Sequence, residues 1–475
     1  MKVVERIYWF TQNEFTTTVQ NLYYNELLSS ETSISIFERS GILCRIPVHP
    51  FLIDVSKAVH VTKRGSEDLS VRTLNTGLYG RLHINFVESY YNGGKEALES
   101  VVKTYAPNIE DVPVIIADLQ DEESIKKMTA KAKIVANCCG PYKFYGESVI
   151  KACIETKTHH IDVTGETTFM EEMQLKYDKA ARDAGIYIIS ACGFDSIPSD
   201  LGVVFIQQKF GGDANSIEAY INIRFSGKHS GSVANYATLE SLVYAFAYKK
   251  ELRKIREKIY PEPLPDLQPK LKFRGLLPHR SAFSDGWSVL FPGADRAVVY
   301  RTQRFFYEKY KQRPVQFHEY VTFKSFFQVL AIIIMSAILF LMTKFSYGRN
   351  LILKYPGLFT LGYITHEPPK EDSLNNAHIS LIFLARGWKE KLSEPTDVHA
   401  DPPNKEMVTK VSGTNAYVIT AVALILSAVT ILKESDKMPK GGGVLTSGAA
   451  FSKTSIIDEL NKNGITFEVI SSIEK

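Results

Sequence analysis

Carboxylates, hydroxyls and glycines gather at four points between Asp118 and Asp200, each just after a short apolar run. Asp118 follows Val112 to Ala117, and Asn137-Cys138-Cys139-Gly140-Pro141-Tyr142 closes a run that begins at Lys133. Asp162-Val163-Thr164-Gly165-Glu166 ends a third run, and Gly193-Phe194-Asp195-Ser196-Ile197-Pro198-Ser199-Asp200 follows Ile186 to Ala191. In an open α/β sheet, ligands bind in the crevice outside the carboxyl ends of the strands, so these are the side chains placed to do chemistry. A carboxylate at Asp118 suits a hydrogen bond from an adenine amino group or a ribose hydroxyl, or it caps a helix. Gly140 lets a ligand approach the backbone and Pro141 fixes the turn. With Asn137, that turn can lie against the pyrophosphate or nicotinamide ribose of a dinucleotide, or it is a plain strand-to-helix turn. Pro198 suits the first turn of a helix with Ser196 as its N-cap. Asp195 then projects toward a cleft beside the positive helix end, or merely complements the dipole. Asp195 and Ser196 are thus the candidates for orienting cofactor or substrate, and Asp118, Asn137, Gly140 and Pro141 the candidate cofactor contacts. No His or Lys stands out as a proton donor.

The elements that must hold these residues alternate. Lys95 to Tyr105 reads as a helix and Val112 to Ala117 as a buried strand. Asp121 caps a helix to about Ala132, and Lys133 to Cys138 is a second strand. Ser148 to Thr156 is helical, His160 to Val163 a strand, Phe169 to Ala184 a helix stopped by Gly185, and Ile186 to Ala191 a strand. Strands alternating with helices at this spacing predict a parallel sheet with right-handed crossovers. The pattern changes after Gly211-Gly212. Ser216 to Phe225 alternates like a strand with one solvated face, Ser230 to Ile259 reads as one long helix, and four prolines between Pro261 and Pro269 form a rigid basic linker. Val298 to Tyr310, Ile379 to Leu384 and Met407 to Val411 read as further strands or helices of a second domain. Residues 1 to about 90 show short β-prone runs (Ser33 to Phe37, Ile42 to Val48, Phe51 to Val55) without sustained periodicity.

Residues 326 to 342, FFQVLAIIIMSAILFLM, carry no charge and lie between Lys324 and Lys344. A helix of that length measures about 25 Å, short for a bilayer core of about 30 Å. A weaker apolar stretch, Leu351 to Ile364, follows and is broken by Lys354 and Pro356, so a membrane-dipping hairpin fits as well as a span. Ala416 to Leu432 is also apolar but contains Thr420, Ser427 and Thr430; it reads as a buried or interface helix and offers a face for a homodimer.

Composition narrows the classes. A chain of 475 residues with 45% hydrophobic and 23% charged residues has the make-up of two or three folded domains. A net charge of +4 implies no nucleic-acid partner. Eleven histidines show no metal-ligand spacing beside cysteines, and the five cysteines (Cys44, Cys138, Cys139, Cys153, Cys192) contain no CxxC. That pattern points to a reducing compartment, with no zinc site and no disulfide framework. Met1 to Phe10 holds Lys2, Glu5 and Arg6 and lacks the uninterrupted apolar core of a secretory signal.

The runs NCCGPYKFYGESVIKAC, IDVTGE, GFDSIPSDLG, RTQRFFYE and GGVLTSGAAFSKTSIIDELNKNGITFEVIS closely resemble the saccharopine dehydrogenase-like oxidoreductases from about residue 93 to the C-terminus. The resemblance implies an α/β fold in which a Rossmann-like parallel-sheet domain (residues 1–205) is interrupted by an α+β substrate domain (206–440) carrying the apolar helix or hairpin of 326–364. A C-terminal segment (441–475) would return to the first domain. It further implies an NAD(P)-dependent oxidoreductase acting on a small-molecule or lipid-linked substrate, with a role in lipid or glycolipid metabolism. Its place would be a lipid droplet or the cytosolic face of an intracellular membrane, or else a mitochondrion.

One departure stands against the family pattern. The family opens with an apolar strand running into a turn of the type G-A-S-G-F-T-G, which carries the cofactor's pyrophosphate at a helix N-terminus. The first ninety residues here hold only Gly41, Gly65, Gly77 and Gly80, and Thr76-Gly77-Leu78-Tyr79-Gly80-Arg81 lacks the third glycine. Losing two or three charge-assisted hydrogen bonds would weaken dinucleotide binding by about 3–9 kcal/mol. A catalytically impaired scaffold on a membrane or lipid droplet is therefore the competing expectation. A coding sequence that lost its first βαβ unit would give the same pattern.

Overall fold

The apolar runs after residue 130 pair side by side. In the computed structural model, which describes residues 32–38, 82–88 and 115–474 apart from 116, 227–230, 275–276, 282–283, 368, 370–373 and 375, they form the middle of a parallel sheet. Its strands are β1 (Thr32–Glu38), β2 (Leu82–Glu88), β3 (Ile134–Cys138), β4 (His159–Asp162), β5 (Tyr187–Ile189) and β12 (Gly443–Leu445). They lie in the order β12-β5-β4-β3-β1-β2, every pair parallel. β1 covers the expected Ser33 to Phe37 run. The expected helix Lys95 to Tyr105, the runs at 42–48 and 51–55 and the Thr76–Arg81 turn lie outside the described residues. So does most of the expected strand Val112 to Ala117, whose described members Ile115 and Ala117 are not in a strand.

The crossovers follow the local chemistry. Asp121 caps the helix Glu122–Thr129 by accepting from the Glu123 and Ser124 amides. The next helix begins earlier than expected, spanning Tyr142–Thr156 directly after Pro141. Gly185 ends the helix Thr167–Ala184 with φ +70°, the left-handed conformation that favours glycine.

The sheet changes after the helix Ile197–Lys209, inside which the expected boundary at residue 205 falls. The second sheet contains β6 (Asp213–Phe225), β7 (His279–Ser281), β8 (Ser284–Leu290), β9 (Gln316–Phe323), β10 (Ala377–Trp388), β11 (Lys405–Gly413) and β13 (Thr466–Glu474). The order is β13-β11-β10-β6-β9-β8-β7, with only the β6–β9 pair parallel. Within the C-terminal segment only β12 rejoins the first sheet; β13 pairs with β11 at the edge of the second. By strand pairing, the expected return to the first sheet is made by Gly443–Leu445.

The expected single helix Ser230 to Ile259 is two helices, Tyr236–Tyr248 and Glu251–Ile259. They have different partners, which accounts for the break. Leu239 and Val243 of the first pack with Ile352, Leu339 and Met342. The second is drawn to the Thr167–Ala184 helix, where the Arg256 guanidinium grips the buried Glu171 carboxylate at 2.7–3.1 Å.

One continuous core joins the sheets. It includes Ile134, Ile161 and Ile189 of the first, Ile217 and Phe383 of the second, and Ile197, Leu201 and Phe205 between them. Gly202 permits that contact, since a Cβ there would lie 2.6 Å from the Phe383 ring. The helix Ala416–Glu434 belongs to the same core, with Ile419 and residues 421–431 buried, so it is a core helix whose apolar face is already covered. It is the one helix among the described residues long and apolar enough to cross a membrane. The helix Phe326–Met342 is the reverse case. It has seventeen residues, only Val329 is buried, and Phe327 and Leu341 are 78% and 63% exposed. It rests on the domain along one side, with Phe326 against Trp287 and Phe340 against Phe246. The helices Ser346–Lys354 and Pro356–Phe359 then turn back beneath it.

Candidate active site

The carboxyl ends of β3 and β4 and the loop after β5 open into one cavity of about 1770 Å³ between the two sheets. Cys138, Gly140, Gly165, Gly193 and Asp195 line its inner end. Of the residues singled out in the sequence, Gly140 and Asp195 reach this wall.

The others stand behind it or apart from it. Asn137 is buried; its side-chain oxygen accepts from the Cys139 amide at 3.0 Å, and its carbonyl accepts from the Tyr142 hydroxyl at 2.9 Å. Pro141 holds the N-cap position of the helix that follows, through a cis peptide bond to Gly140. Asp118 sits in the turn before Asp121, its carboxylate accepting from the Gln120 amide at 3.0 Å, and is not part of the cavity lining. Ser196 occupies the N-cap position of the Ile197–Lys209 helix, but its side chain makes no capping bond. Its hydroxyl is buried, and its φ of +145° is strained for a residue with a Cβ.

Two further carboxylates of these loops bind the scaffold. Glu166 accepts from the first two amides of the Tyr142–Thr156 helix, Tyr142 at 2.8 Å and Lys143 at 2.9 Å. It fills that helix end with the protein's own anion. Asp162 accepts from the Thr164 and Ala191 amides at 3.0 Å and from the Ser190 hydroxyl at 2.8 Å, tying the loop after β4 to that after β5; burial pushes its carboxyl up to about 6. Asp200 is likewise structural. It accepts from the Thr302 and Ser447 hydroxyls at 2.9 Å and from the Gly448 amide at 2.6 Å, joining three segments remote in sequence.

Asp195 is different. It meets two buried carboxyls from the second domain, Asp295 at the start of the helix Asp295–Tyr310 and Glu319 in β9. Asp295 lies within hydrogen-bonding reach of Asp195. Burial is the main cause that holds the Asp295 carboxyl well above the usual range, and the neighbouring Glu319 and Asp195 add to it. Burial also pushes Glu319 up to about 8, against the hydrogen bond that the Ser199 hydroxyl donates to it at 2.6 Å. One oxygen each on Asp195, Asp295 and Glu319 has no partner. Like charges this close cannot all ionise, so the cluster stores protons at neutral pH. Reading the sequence missed Asp295 and Glu319. The signal was there for Glu319, which shares its strand face with Phe317 and Val321, and a carboxylate on an apolar strand face is a buried one.

The inner end fits the nicotinamide half of a dinucleotide. Gly140 and Gly165 leave the strand tips without side chains, and a Cβ on Gly165 would stand 2.5 Å from Asp195 Oδ2. Among the described residues no free helix end is aimed at a diphosphate beside β3, since Glu166 fills that one.

Residues 95–189 match the saccharopine dehydrogenase NADP-binding domain. A human saccharopine dehydrogenase-like oxidoreductase is 40% identical over 365 residues, covering 77% of this chain and 83% of its own. The chain belongs to the saccharopine dehydrogenase-like oxidoreductases. Within that family, a Caenorhabditis elegans protein named "lipid droplet localized protein" is 32% identical over 385 residues, covering 80% of this chain and 89% of its own. Among solved structures, apo saccharopine dehydrogenase (L-Glu forming) from Saccharomyces cerevisiae aligns with 93% of this chain and all of its own at 14% identity and a TM-score of 0.48. This saccharopine dehydrogenase-like chain thus carries a dinucleotide-binding domain, and its cavity borders that domain's strand tips.

Proposed function

We propose that the protein is a nicotinamide-dependent reductase or dehydrogenase that works at a lipid surface, with Asp195 and Asp295 handling the proton. The observation that carries this reading is the meeting of Asp195, Asp295 and Glu319 beside strand tips of a dinucleotide-binding domain. A bound nicotinamide would exchange a hydride with the substrate. The chain's own residues do the rest. Gly140 and Gly165 admit the ring edge over β3 and β4. Asp195, facing the cavity, gives a proton to the carbonyl oxygen or imine nitrogen as a C–H bond forms at carbon, and Asp295 and Glu319 hold the proton that restores it. In the oxidative direction the same carboxyls accept the proton.

The lipid surface follows from the Phe326–Met342 helix. Its outward face presents Phe327, Ile334, Ile338 and Leu341, followed by Phe345, Tyr347 and Leu358, all exposed. An apolar patch of this extent marks an interaction surface. The helix is docked on the domain and about 25 Å long, so lying in the interface suits it better than spanning. The name of the Caenorhabditis relative supports a lipid droplet as the location.

The first ninety residues favour a second reading, a scaffold on the same surface without dinucleotide chemistry, because no family-type glycine turn is present there. Titration calorimetry of the full chain with NADPH and with NADH separates the two and decides the preferred cofactor. Micromolar binding of either supports the enzyme, and no heat up to millimolar cofactor supports the scaffold. Imaging against droplet and mitochondrial markers tests location, and a purely mitochondrial signal would remove the droplet assignment.

A further inference from the structure

The cavity does not end at the carboxylates. Besides Asp195, its lining includes Leu239, Leu242 and Phe246 of the Tyr236–Tyr248 helix and Ile332, Met335 and Leu339 of the Phe326–Met342 helix. The lining also includes Phe359, Leu361 and Ile364, and Leu361 is itself half exposed. The lining is mixed, with Asp195 and bare backbone at the strand tips, basic side chains at Lys249, Arg256, Arg296, Arg301 and Arg304, and an aliphatic and aromatic sleeve between the Tyr236–Tyr248 and Phe326–Met342 helices. At about 1770 Å³ the space exceeds the roughly 300–1,000 Å³ of ordinary small-molecule pockets. A helix that walls the cavity with Ile332, Met335 and Leu339 while showing Phe327, Ile334 and Leu341 to the outside separates the two compartments by one side-chain layer.

From this geometry we infer that the cavity takes a long-chain aliphatic carbonyl compound. Its C=O stands at Asp195, and its alkyl chain lies between the Tyr236–Tyr248 and Phe326–Met342 helices and leaves past Leu361 into the lipid phase. The inference rests on the proposed function for the position of the reacting carbon; the chain site stands on the cavity alone. Such a ligand moves from one apolar phase to another and exposes no methylene to water on the way. The apolar helix then has two faces with two roles, the outer one for docking and the inner one for substrate.

The test uses the full chain in detergent-free buffer and a sixteen-carbon fatty aldehyde analogue carrying a mid-chain diazirine, below its micelle concentration. Photolysis should label residues 239–246 and 332–339. Hexadecanal should compete and butanal should not, with affinity tightening roughly fourfold per added methylene until the sleeve is full. Met335→Trp and, separately, Leu242→Trp should reduce labelling tenfold or more while vesicle association and the melting temperature stay unchanged. Labelling confined to Phe327 and Leu341, or equal competition by butanal, overturns the inference. Labelling needs neither cofactor nor turnover. Correct labelling without NAD(P)H binding would therefore defeat the proposed function alone, and NAD(P)H binding without inner labelling would defeat this inference alone.

Discussion

Ser199 and Glu319 come from different sheets' neighbourhoods and meet at 2.6 Å, the serine hydroxyl donating to Glu319 Oε1. Ser199 lies in the first turn of the helix that leaves the dinucleotide-binding sheet, and Glu319 lies in β9 of the second. The contact pins the two domains together and leaves Glu319 Oε2 without a partner.

That cluster makes stability depend on pH. Burial pushes the Glu319 carboxyl up to about 8 in the folded chain from its ordinary value of 4.5, so the native state binds more protons than the unfolded state between those values. The sign follows directly: stability falls as pH rises across that window, by up to about 1.4 kcal/mol per pH unit for one group. Glu319→Gln stays neutral at every pH and should flatten the slope. Urea midpoints measured from about pH 5 to pH 8 check this, and an unchanged slope in the variant would show that Glu319 does not hold the proton.

Asp195 is held against Gly165, and this gives a sharper probe of chemistry than removing the carboxylate. Gly165→Ala would place a methyl 2.5 Å from Asp195 Oδ2 and push the carboxyl off its line. A displacement of about 1 Å can cost roughly a hundredfold in rate. Turnover of the full chain should fall by that order, with the melting temperature little changed and Asp295→Asn giving no further loss in the double variant. Additive losses would mean that the two carboxyls act separately.

How much of this was written legibly along the chain differs by element. β3 and β5 were readable because each sits in an apolar run that leads into a glycine-bearing turn, as a strand buried on both faces must be apolar, whereas β4 was readable from the carboxylate that ends it and the helices on either side. Gly185 and Asp121 marked helix ends by local chemistry that needs no tertiary partner. The Ala416–Glu434 helix was readable as buried because hydroxyls at Thr420 and Ser427 can bond the preceding turn, as both do at 2.7 Å. The break at Lys249-Lys250 was not readable, because it is set by two distant partners, Ile352 and Glu171. The cluster of Asp195, Asp295 and Glu319 was hidden for the same reason, since its members come from three stretches of sequence. Asn137, Pro141 and Ser196 were legible as positions in these turns, but a one-dimensional motif does not say whether a residue faces the cavity or supports its wall.

The capping of the Tyr142–Thr156 helix by Glu166 is a structural feature with its own test. Glu166 accepts both leading amides of that helix while itself buried. Glu166→Ala leaves two amides without an acceptor and should destabilise the chain by about 2–4 kcal/mol, hydrogen bonds to charged groups being the stronger kind. Glu166→Gln keeps one acceptor oxygen and should recover roughly half of that loss. Denaturant unfolding of both variants decides it, and equal stability of Glu166→Gln and Glu166→Ala would argue against the cap.

The outer face of the Phe326–Met342 helix can be tested without touching the cavity. Phe327 and Leu341 are exposed and are not among the residues lining it. Burying each in a lipid surface is worth about 1.5–3 kcal/mol. Phe327→Asp with Leu341→Asp replaces both gains by the cost of bringing charge to the interface, so vesicle binding should weaken by well over tenfold. The folded state loses no contact that these side chains now make with the core, and the melting temperature should hold. Flotation of the purified variant with phospholipid vesicles reads the first quantity and calorimetric melting the second. Unchanged flotation would mean that the chain meets lipid by another face. A parallel drop in melting temperature would instead return this helix to the folded core, against the exposure it shows.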